Sequence, residues 1–193
     1  MRLPKPKLSS RTSVEEALSE RRSVRDYRED SLTLEQVSQL LWAAQGVTEK
    51  WGGRTAPSAG ALYPLEIYLL AGETIGLQPG LYHYDPAGHT VSLTKGGDLR
   101  RAVTEASLDQ EEILKAPAIL VIAAVYERTT GKYGERGIRY VHMEVGAVAE
   151  NIYLQAESVE LGTVFIGAFD DQEVKEALGI AEEPLAILPI GWK

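Results

Sequence analysis

The segment from Tyr140 to Leu161 constrains the fold of this chain more than any other part of its sequence. It is long and alanine-rich, and its apolar residues lie on nearly every side of the helix that their spacing predicts. A helix of this kind offers no face suited to water, so it belongs at the centre of a domain or in an interface between subunits. Because a chain of 193 residues has limited core with which to surround such a helix, we expect an obligate homodimer.

The remaining patterns mix helices and strands without a regular strand–helix–strand order. Capping boxes that open at Ser13 and Thr33 predict helices to about Glu20 and Gly46, and two more helices are predicted at 97–107 and 170–178. Strands are predicted at 65–71, 81–84, 90–94, 118–126, 163–167 and 184–190. This mixture favours an α+β fold in a single domain, residues 1–193. Because residues 1–11 include two prolines, we expect them to form an extended N-terminal arm.

Composition excludes several kinds of site. The chain contains no cysteine, so disulfides, thiolate nucleophiles and cysteine-ligated metal centres are absent, and redox chemistry would need a bound organic cofactor. The three histidines, His83, His89 and His142, show no ligand spacing, so we expect no metal site. The net charge of −8 argues against a general nucleic-acid surface. The longest apolar run, 116–125, is shorter than the roughly 20 residues that cross a membrane, and without a secretory signal we expect a cytoplasmic protein.

Four arginines lie within eight residues, at positions 21, 22, 25 and 28, in a chain that is acidic overall. Like charges this close repel one another unless an anion lies among them, and the guanidinium group matches the geometry of phosphate. Ser23 adds a hydroxyl to the same stretch. The cluster is equally compatible with a monophosphate site and with a solvated basic surface that pairs with nearby carboxylates, such as those of Glu15 and Asp30.

Two other stretches are candidates for ligand contact. The residues from 54 to 64 have small side chains in their middle, which allow backbone amides to approach a flat ligand closely, although an ordinary surface loop is the alternative. The polar, glycine-spaced residues 126–139 follow a predicted buried strand, where a substrate loop is expected. Neither stretch contains a phosphate-binding P-loop or a dinucleotide fingerprint, so a Rossmann nicotinamide site is not expected.

Four stretches, in this order and spacing, resemble the FMN-dependent nitroreductase superfamily over nearly the whole chain. They are RRSVR at 21–25, PSAGALYP at 57–64, EVGAVAENIYLQA at 144–156 and LGTVFIGAFDD at 161–171. The resemblance implies a nitroreductase-like fold with a mixed, mainly antiparallel sheet flanked by helices. It also implies an intertwined homodimer with FMN at the interface, and it makes NAD(P)H a candidate electron donor.

The resemblance further implies roles for individual residues. Arg21, Arg22, Ser23 and Arg25 resemble the family's residues that contact the phosphate and ribityl chain of FMN, and Lys193 resembles a basic residue near that phosphate. Pro57, Ser58 and Ala59 resemble the segment that one subunit places against the flavin of the other. Gly167 is similar to the residue whose backbone amide faces N5 or O4 of the flavin. Ala59 departs from the family pattern, since a second serine is usual there.

Within the superfamily, residues 57–64 and the pair Lys132-Tyr133 look like the thiazole/oxazole-forming dehydrogenases, which oxidise azolines in modified peptides. In that branch the Lys-Tyr pair is associated with catalysis, so Lys132 and Tyr133 are the candidate catalytic residues; a solvated loop is the alternative. Three functions stay open. They are an NAD(P)H-using FMN reductase for small nitro- or quinone-like acceptors, an azoline dehydrogenase for peptides, and a non-catalytic flavin-fold binding protein.

Overall fold

The computed structural model describes all 193 residues and is built around one six-stranded sheet. The strands are β1 (Leu65–Ala71), β2 (Gly80–Asp85), β3 (Thr90–Gly96), β4 (Ala118–Ala124), β5 (Leu161–Thr163) and β6 (Glu183–Trp192). They lie in the order β3-β2-β1-β4-β6-β5, and every neighbouring pair is antiparallel. The predicted α+β class with a mainly antiparallel sheet is therefore confirmed.

Seven helices and one short 3₁₀ turn, Ala59–Ala61, accompany the sheet. The helices are α1 (Val14–Glu20), α2 (Leu34–Gln45), α3 (Arg100–Ala106), α4 (Glu111–Lys115), α5 (Glu127–Tyr133), α6 (Arg136–Ser158) and α7 (Asp171–Leu178). Both predicted capping boxes are present at the starts of α1 and α2, where the Ser13 and Thr33 side chains accept hydrogen bonds from backbone N–H groups. No helix is both long and apolar enough to cross a membrane.

The core lies on both faces of the sheet, and β4 contributes to both because all its residues are buried. Successive side chains of a strand point to opposite faces. Leu120 and Ile122 therefore join the hydrophobic cluster formed with α2 and α6, whereas Ile119 and Val121 join the cluster formed with α3 and α7. Burial on both faces explains why this strand is a continuous apolar run in the sequence.

The prediction of a polar loop over 126–139 is wrong. Residues Glu127–Tyr133 form α5, and α6 begins at Arg136, before the predicted start at Tyr140. Gly134 separates the two helices because its backbone, at φ 57° and ψ −149°, lies outside the helical region. The glycines that suggested a loop instead lie within or between helices.

Two element boundaries near the end of α6 also differ from the prediction. The helix ends at Ser158, so Leu161 belongs to β5 and not to the helix. The strand predicted at 163–167 is displaced to Leu161–Thr163, and beyond it Ile166 makes an isolated bridge to Ile187. A strand this short carries too little periodicity for its limits to be read from sequence.

Helix α6 is buried on one side only within the single chain. Val148 and Ile152 are fully buried, whereas Met143 is 60% exposed and Ile138 is 43% exposed. The expectation that this helix has no water-facing side is therefore not met by one chain alone. The homodimer that would cover the exposed side stays a prediction.

The N-terminal arm is extended and lies against its own chain. Arg2 bridges to Thr90 in β3, and Leu3 is buried. The hydroxyl of Ser38 in α2 donates to the carbonyl oxygen of Pro4 at 2.6 Å. These contacts hold the arm beside α2 and β3.

Candidate functional site

Tyr153 on α6 contacts Arg21 and Ser23, the first part of the arginine stretch. Its hydroxyl lies 3.2 Å from the Ser23 hydroxyl and accepts a hydrogen bond from the backbone N–H of Phe165 at 2.7 Å. The guanidinium carbon of Arg21 lies 5.1 Å from the centre of the Tyr153 ring, in a cation–π arrangement. Sequence reasoning did not single out Tyr153, although it lies within the family-like stretch 144–156.

Gly167 lies two residues beyond Phe165, on the segment that Tyr153 holds. It is exposed, and its backbone N–H donates to no group of the chain. Ser23 is joined to the same region because it bridges to Thr163, the last residue of β5. The structure therefore brings Arg21 and Ser23 together at Tyr153, with the free amide of Gly167 two residues beyond the Phe165 contact.

The other two candidate arginines do not converge on Tyr153. One terminal nitrogen of Arg22 donates to the carbonyl oxygens of Ser19 and Arg21, at 3.0 and 2.7 Å. Arg25 lies 3.5 Å from Glu112 of α4, but its side chain is 60% exposed. The Glu112 side chain is only 14% exposed, so Arg25 neutralises a largely buried carboxylate while most of its own side chain stays in solvent.

Lys193 pairs with Glu157, which is buried on α6 one turn beyond Tyr153. Residues four apart lie on the same face of a helix, so this ion pair faces the same way as Tyr153. It borders a cavity of about 410 Å³ whose lining is entirely polar: Thr12, Glu20, Arg28, Glu157, Glu160 and Lys193. Lys193 is thus held close to the arginine stretch, with a carboxylate as its present partner.

The candidate flavin-facing loop, residues 57–64, has a strained backbone. Gly60, Ala61 and Tyr63 all have positive φ angles, at 64°, 53° and 46°. For residues with a Cβ this conformation costs of order 1–2 kcal/mol each, so the surrounding contacts must hold it. One of these is the hydrogen bond from the Tyr63 N–H to the Ser58 hydroxyl oxygen, at 2.9 Å.

Lys132 and Tyr133 lie at the end of α5 and reach the same loop. A methyl group added at Gly60 would be only 2.8 Å from the Tyr133 hydroxyl and 3.0 Å from the Lys132 ammonium nitrogen. Both polar atoms therefore lie against the backbone of Gly60, whose φ of 64° favours glycine. The Tyr133 ring is supported edge-on by Tyr140, with ring centres 5.1 Å apart. The candidate catalytic pair and the candidate flavin-facing loop are thus adjacent. The sequence predicted both segments as irregular, and it did not indicate that they meet.

A charged cluster that sequence reasoning missed anchors α5 to the sheet. Glu66 of β1 pairs through one carboxylate oxygen with His83 of β2 and through the other with Arg128 of α5, each at 2.6 Å. Arg128 also donates to the carbonyl oxygen of Tyr63 at 3.1 Å. The cluster therefore fixes both the loop and the helix that carries Lys132 and Tyr133. Its members are separated in sequence and show no common motif.

The contacts within this cluster change the acidity of its members. Burial of Glu66 raises the pKa of its carboxyl, but the hydrogen bonds from His83 and Arg128 outweigh burial, and the pKa is lowered overall. The hydrogen bond to Glu66 raises the pKa of His83 above its ordinary value of 6.5, against the opposing effect of burial. The ion pair of Glu66 with His83 is therefore complete only at pH values between the two pKa values, where Glu66 is deprotonated and His83 is protonated.

We expect the variant His83→Gln to lose stability mainly in mildly acidic solution. A raised histidine pKa stabilises the fold below the unfolded value and ceases to do so as pH rises through the folded value. The lowered pKa of Glu66 stabilises the fold above about pH 4.5 and ceases to do so as pH falls. The melting temperatures of wild type and variant should therefore differ more at about pH 5.5 than at about pH 9. In the Glu66→Gln background, the further change His83→Gln should alter the melting temperature little. A difference in melting temperature between wild type and His83→Gln that does not vary with pH would contradict the assignment.

Comparison with known proteins supports one classification. A model of the nitroreductase family matches residues 18–192. The chain is 49% identical over 180 residues to a Methanocaldococcus jannaschii protein with the provisional name of a nitroreductase, covering 93% of this chain and 91% of that protein. It is 30% identical over 142 residues to the microcin B17-processing protein McbC of Escherichia coli, covering 70% of this chain and 52% of McbC.

Solved structures agree with the sequence matches. A provisionally named nitroreductase of Ralstonia eutropha matches with a TM-score of 0.87 and 33% identity, over 100% of this chain and 88% of that one. A chain of the Escherichia coli microcin synthetase McbBCD complex with truncated pro-MccB17 bound matches with a TM-score of 0.76 and 25% identity, over 99% of this chain and 77% of that one. The resemblance seen in the sequence is confirmed, and it supports an oxidoreductase-type function. Since the family model spans almost the entire chain and the fold matches throughout, this chain belongs to the nitroreductase family.

Proposed function

We propose that this chain is an FMN-dependent oxidoreductase that transfers hydride between NAD(P)H or an organic substrate and an acceptor. The observation that carries the proposal is the contact of Arg21, Ser23 and the Phe165 backbone with Tyr153, two residues before Gly167, in a nitroreductase-family fold. A cation and a hydroxyl suit a phosphate, and a free backbone N–H suits the electron-rich edge of a flavin ring. Flavin binding is typical of the family, which supports the same assignment.

The residues present fit FMN. When bound, FMN supplies the ring that carries the hydride, while the protein supplies position and charge. Arg21, Arg22, Ser23 and Arg25 would hold the phosphate and ribityl chain, with Lys193 approaching from the side of α6. Pro57, Ser58 and Ala59 would lie along the ring, and the Gly167 N–H would donate to its N5 or O4 edge. The exposed Arg25 and the unpartnered Gly167 amide are the features of this chain that leave room for such contacts.

We expect two copies of the chain to form a homodimer through the exposed side of α6. Gly146 lies on that side, and a side chain added there would meet no atom of its own chain. Gly146→Glu should therefore leave the fold of one chain intact but place an unpaired charge in the interface, which costs several kcal/mol when buried. Light scattering should give about twice 21.1 kDa for wild type and the monomer mass for the variant.

A matched control for this prediction is Gly96→Glu. Gly96 ends β3 at one edge of the sheet, and it also has open space around it within the chain. This variant should remain dimeric. A wild-type protein that is monomeric while it carries flavin would show that the interface proposal is wrong.

A second candidate function is the oxidation of azolines in a modified peptide. It is favoured by the position of Lys132 and Tyr133 against Gly60 of the loop, where both groups would face a substrate above the flavin. It is also favoured by the similarity to McbC and to the complex that binds truncated pro-MccB17. The match spans about half of McbC, so a peptide substrate and partner proteins are proposals for this chain.

One experiment tests the proposed function and separates it from the alternatives. The purified protein should be yellow, should release FMN on denaturation, and should be bleached by NADH or NADPH when air is excluded. Bleaching by a nicotinamide followed by reoxidation with a nitro-aromatic or quinone supports the reductase. Reduction of the flavin by an azoline peptide, and not by either nicotinamide, supports the dehydrogenase. A protein that binds flavin without any redox reaction would support the non-catalytic alternative, and one that binds no flavin would overturn the proposal.

A further inference from the structure

Glu144 is a carboxylic acid buried beneath the candidate flavin-facing loop. It lies on α6 and is only 4% exposed, so its charge is removed from water. The Gln45 amide of α2, itself fully buried, lies 3.5 Å from one carboxyl oxygen of Glu144. The Ser58 hydroxyl, in the loop, lies beside the Glu144 carboxyl and acts to lower its pKa. Burying a carboxylic acid is costly unless its partners compensate, so its place under the loop calls for an explanation.

The contacts continue from Glu144 through Gln45 and Arg54 to the loop. The Gln45 side-chain oxygen accepts a hydrogen bond from the Arg54 guanidinium at 3.1 Å. Arg54 stacks 4.3 Å from the centre of the Tyr63 ring, and its backbone N–H donates to the Tyr63 hydroxyl at 3.2 Å. The Tyr63 N–H in turn donates to the Ser58 hydroxyl. The strained segment is therefore tied to one carboxyl group through Tyr63, Arg54 and Gln45.

We propose that Glu144 is a positioning residue: through Gln45 and Arg54 it holds the strained loop 57–64 in the conformation that meets the flavin. This inference rests on the proposed function for the role of the loop, but the anchoring itself does not depend on flavin. The positive φ angles of Ala61 and Tyr63 need such an anchor. Of the groups that face Glu144, Arg54 carries a charge and Ser58 and Gln45 are neutral donors.

The ionisation of Glu144 gives the proposal a second readout. Burial raises the pKa of this carboxyl above the ordinary value of 4.5, while Ser58, Gln45 and Arg54 oppose the effect only in part. A raised pKa stabilises the fold below the unfolded value, and this contribution disappears as pH rises through the folded value. The stability of wild type relative to Glu144→Gln should therefore fall as pH rises above about 4.5, which an uncharged structural role would not produce.

The anchoring is tested by hydrogen exchange of the flavin-free protein. In Glu144→Ala, the amides of residues 54–63 should exchange at least about 10-fold faster than in wild type, since Gln45 loses a partner and with it the support of Arg54. Glu144→Gln, which keeps the shape, should show a smaller increase. Glu105→Gln, a control at an exposed glutamate of α3, should show none. Equal exchange in Glu144→Ala and Glu105→Gln would overturn the proposal.

The link from the anchor to the cofactor is tested with the flavin-loaded protein. We expect the pH profile of flavin reduction by NAD(P)H to contain an inflection that Glu144→Gln lacks and Glu105→Gln retains. Gln45→Leu should reproduce the effect, and the double variant Gln45→Leu/Glu144→Gln should be no worse than either single one. An unchanged pH profile in Glu144→Gln would contradict the positioning role. Absence of flavin from wild type would instead contradict the proposed function and leave the exchange result to decide the anchoring.

Discussion

Lys132→Ala and Tyr133→Phe are expected to lower turnover of the physiological substrate by roughly 10²–10⁴-fold, the usual contribution of a positioned acid or base. The Tyr133 hydroxyl and the Lys132 ammonium lie together against Gly60 of the candidate flavin-facing loop. The hydroxyl can exchange a proton with a substrate above the ring, and the ammonium supplies a positive charge beside it. Steady-state kinetics with each candidate substrate class measures the effect.

Flavin content and melting temperature should stay nearly unchanged in both variants. Bleaching by NADH should also survive, because hydride transfer to the flavin needs no such acid or base. Tyr140→Phe is the matched control, since it removes a neighbouring hydroxyl but keeps the ring that packs edge-on against Tyr133. Loss of flavin or of folding in both variants would make the pair structural. Full turnover on every acceptor would remove the argument for azoline oxidation and strengthen the reductase.

Arg21→Ala is expected to weaken FMN binding by about 10- to 100-fold. A hydrogen bond to a charged group contributes about 1.5–3 kcal/mol, which corresponds to that range of affinity. The same change should affect riboflavin far less, because riboflavin has no phosphate. Titration of the flavin-free protein with FMN and with riboflavin, followed by flavin fluorescence, gives the two dissociation constants.

Other arginines provide the comparison for this result. Arg25→Ala should weaken FMN binding similarly, and it should also lower the melting temperature because it leaves the largely buried Glu112 unpaired. Arg101→Ala, in an exposed residue of α3, should leave both affinities unchanged. Equal losses of FMN and riboflavin affinity in Arg21→Ala would mean that Arg21 supports Tyr153 and does not bind the phosphate.

Much of the fold follows from local patterns. The capping boxes at Ser13 and Thr33, the apolar spacing of α2 and the continuous apolar run of β4 each depend on residues a few positions apart, so each is visible in the sequence. The family-like stretches also predicted the antiparallel sheet and the likeness to nitroreductases. The helix α5 was missed because its polar residues and glycine spacing are typical of a loop, and its packing on the sheet depends on Arg128 and Glu66.

Sequence by itself determined most of the helices and strands, the fold class, the family resemblance and the list of chemically suitable residues in this protein. Only the tertiary structure decided which of them meet: Ser23 with Tyr153, Glu144 with the loop at Ser58, and Lys132 and Tyr133 with Gly60. Helix and strand patterns repeat over a few residues and can be read from one chain, whereas these contacts join residues from about 70 to 130 positions apart. Such contacts form because the sheet and α6 bring distant segments together when they bury their apolar faces, and no local spacing records that packing.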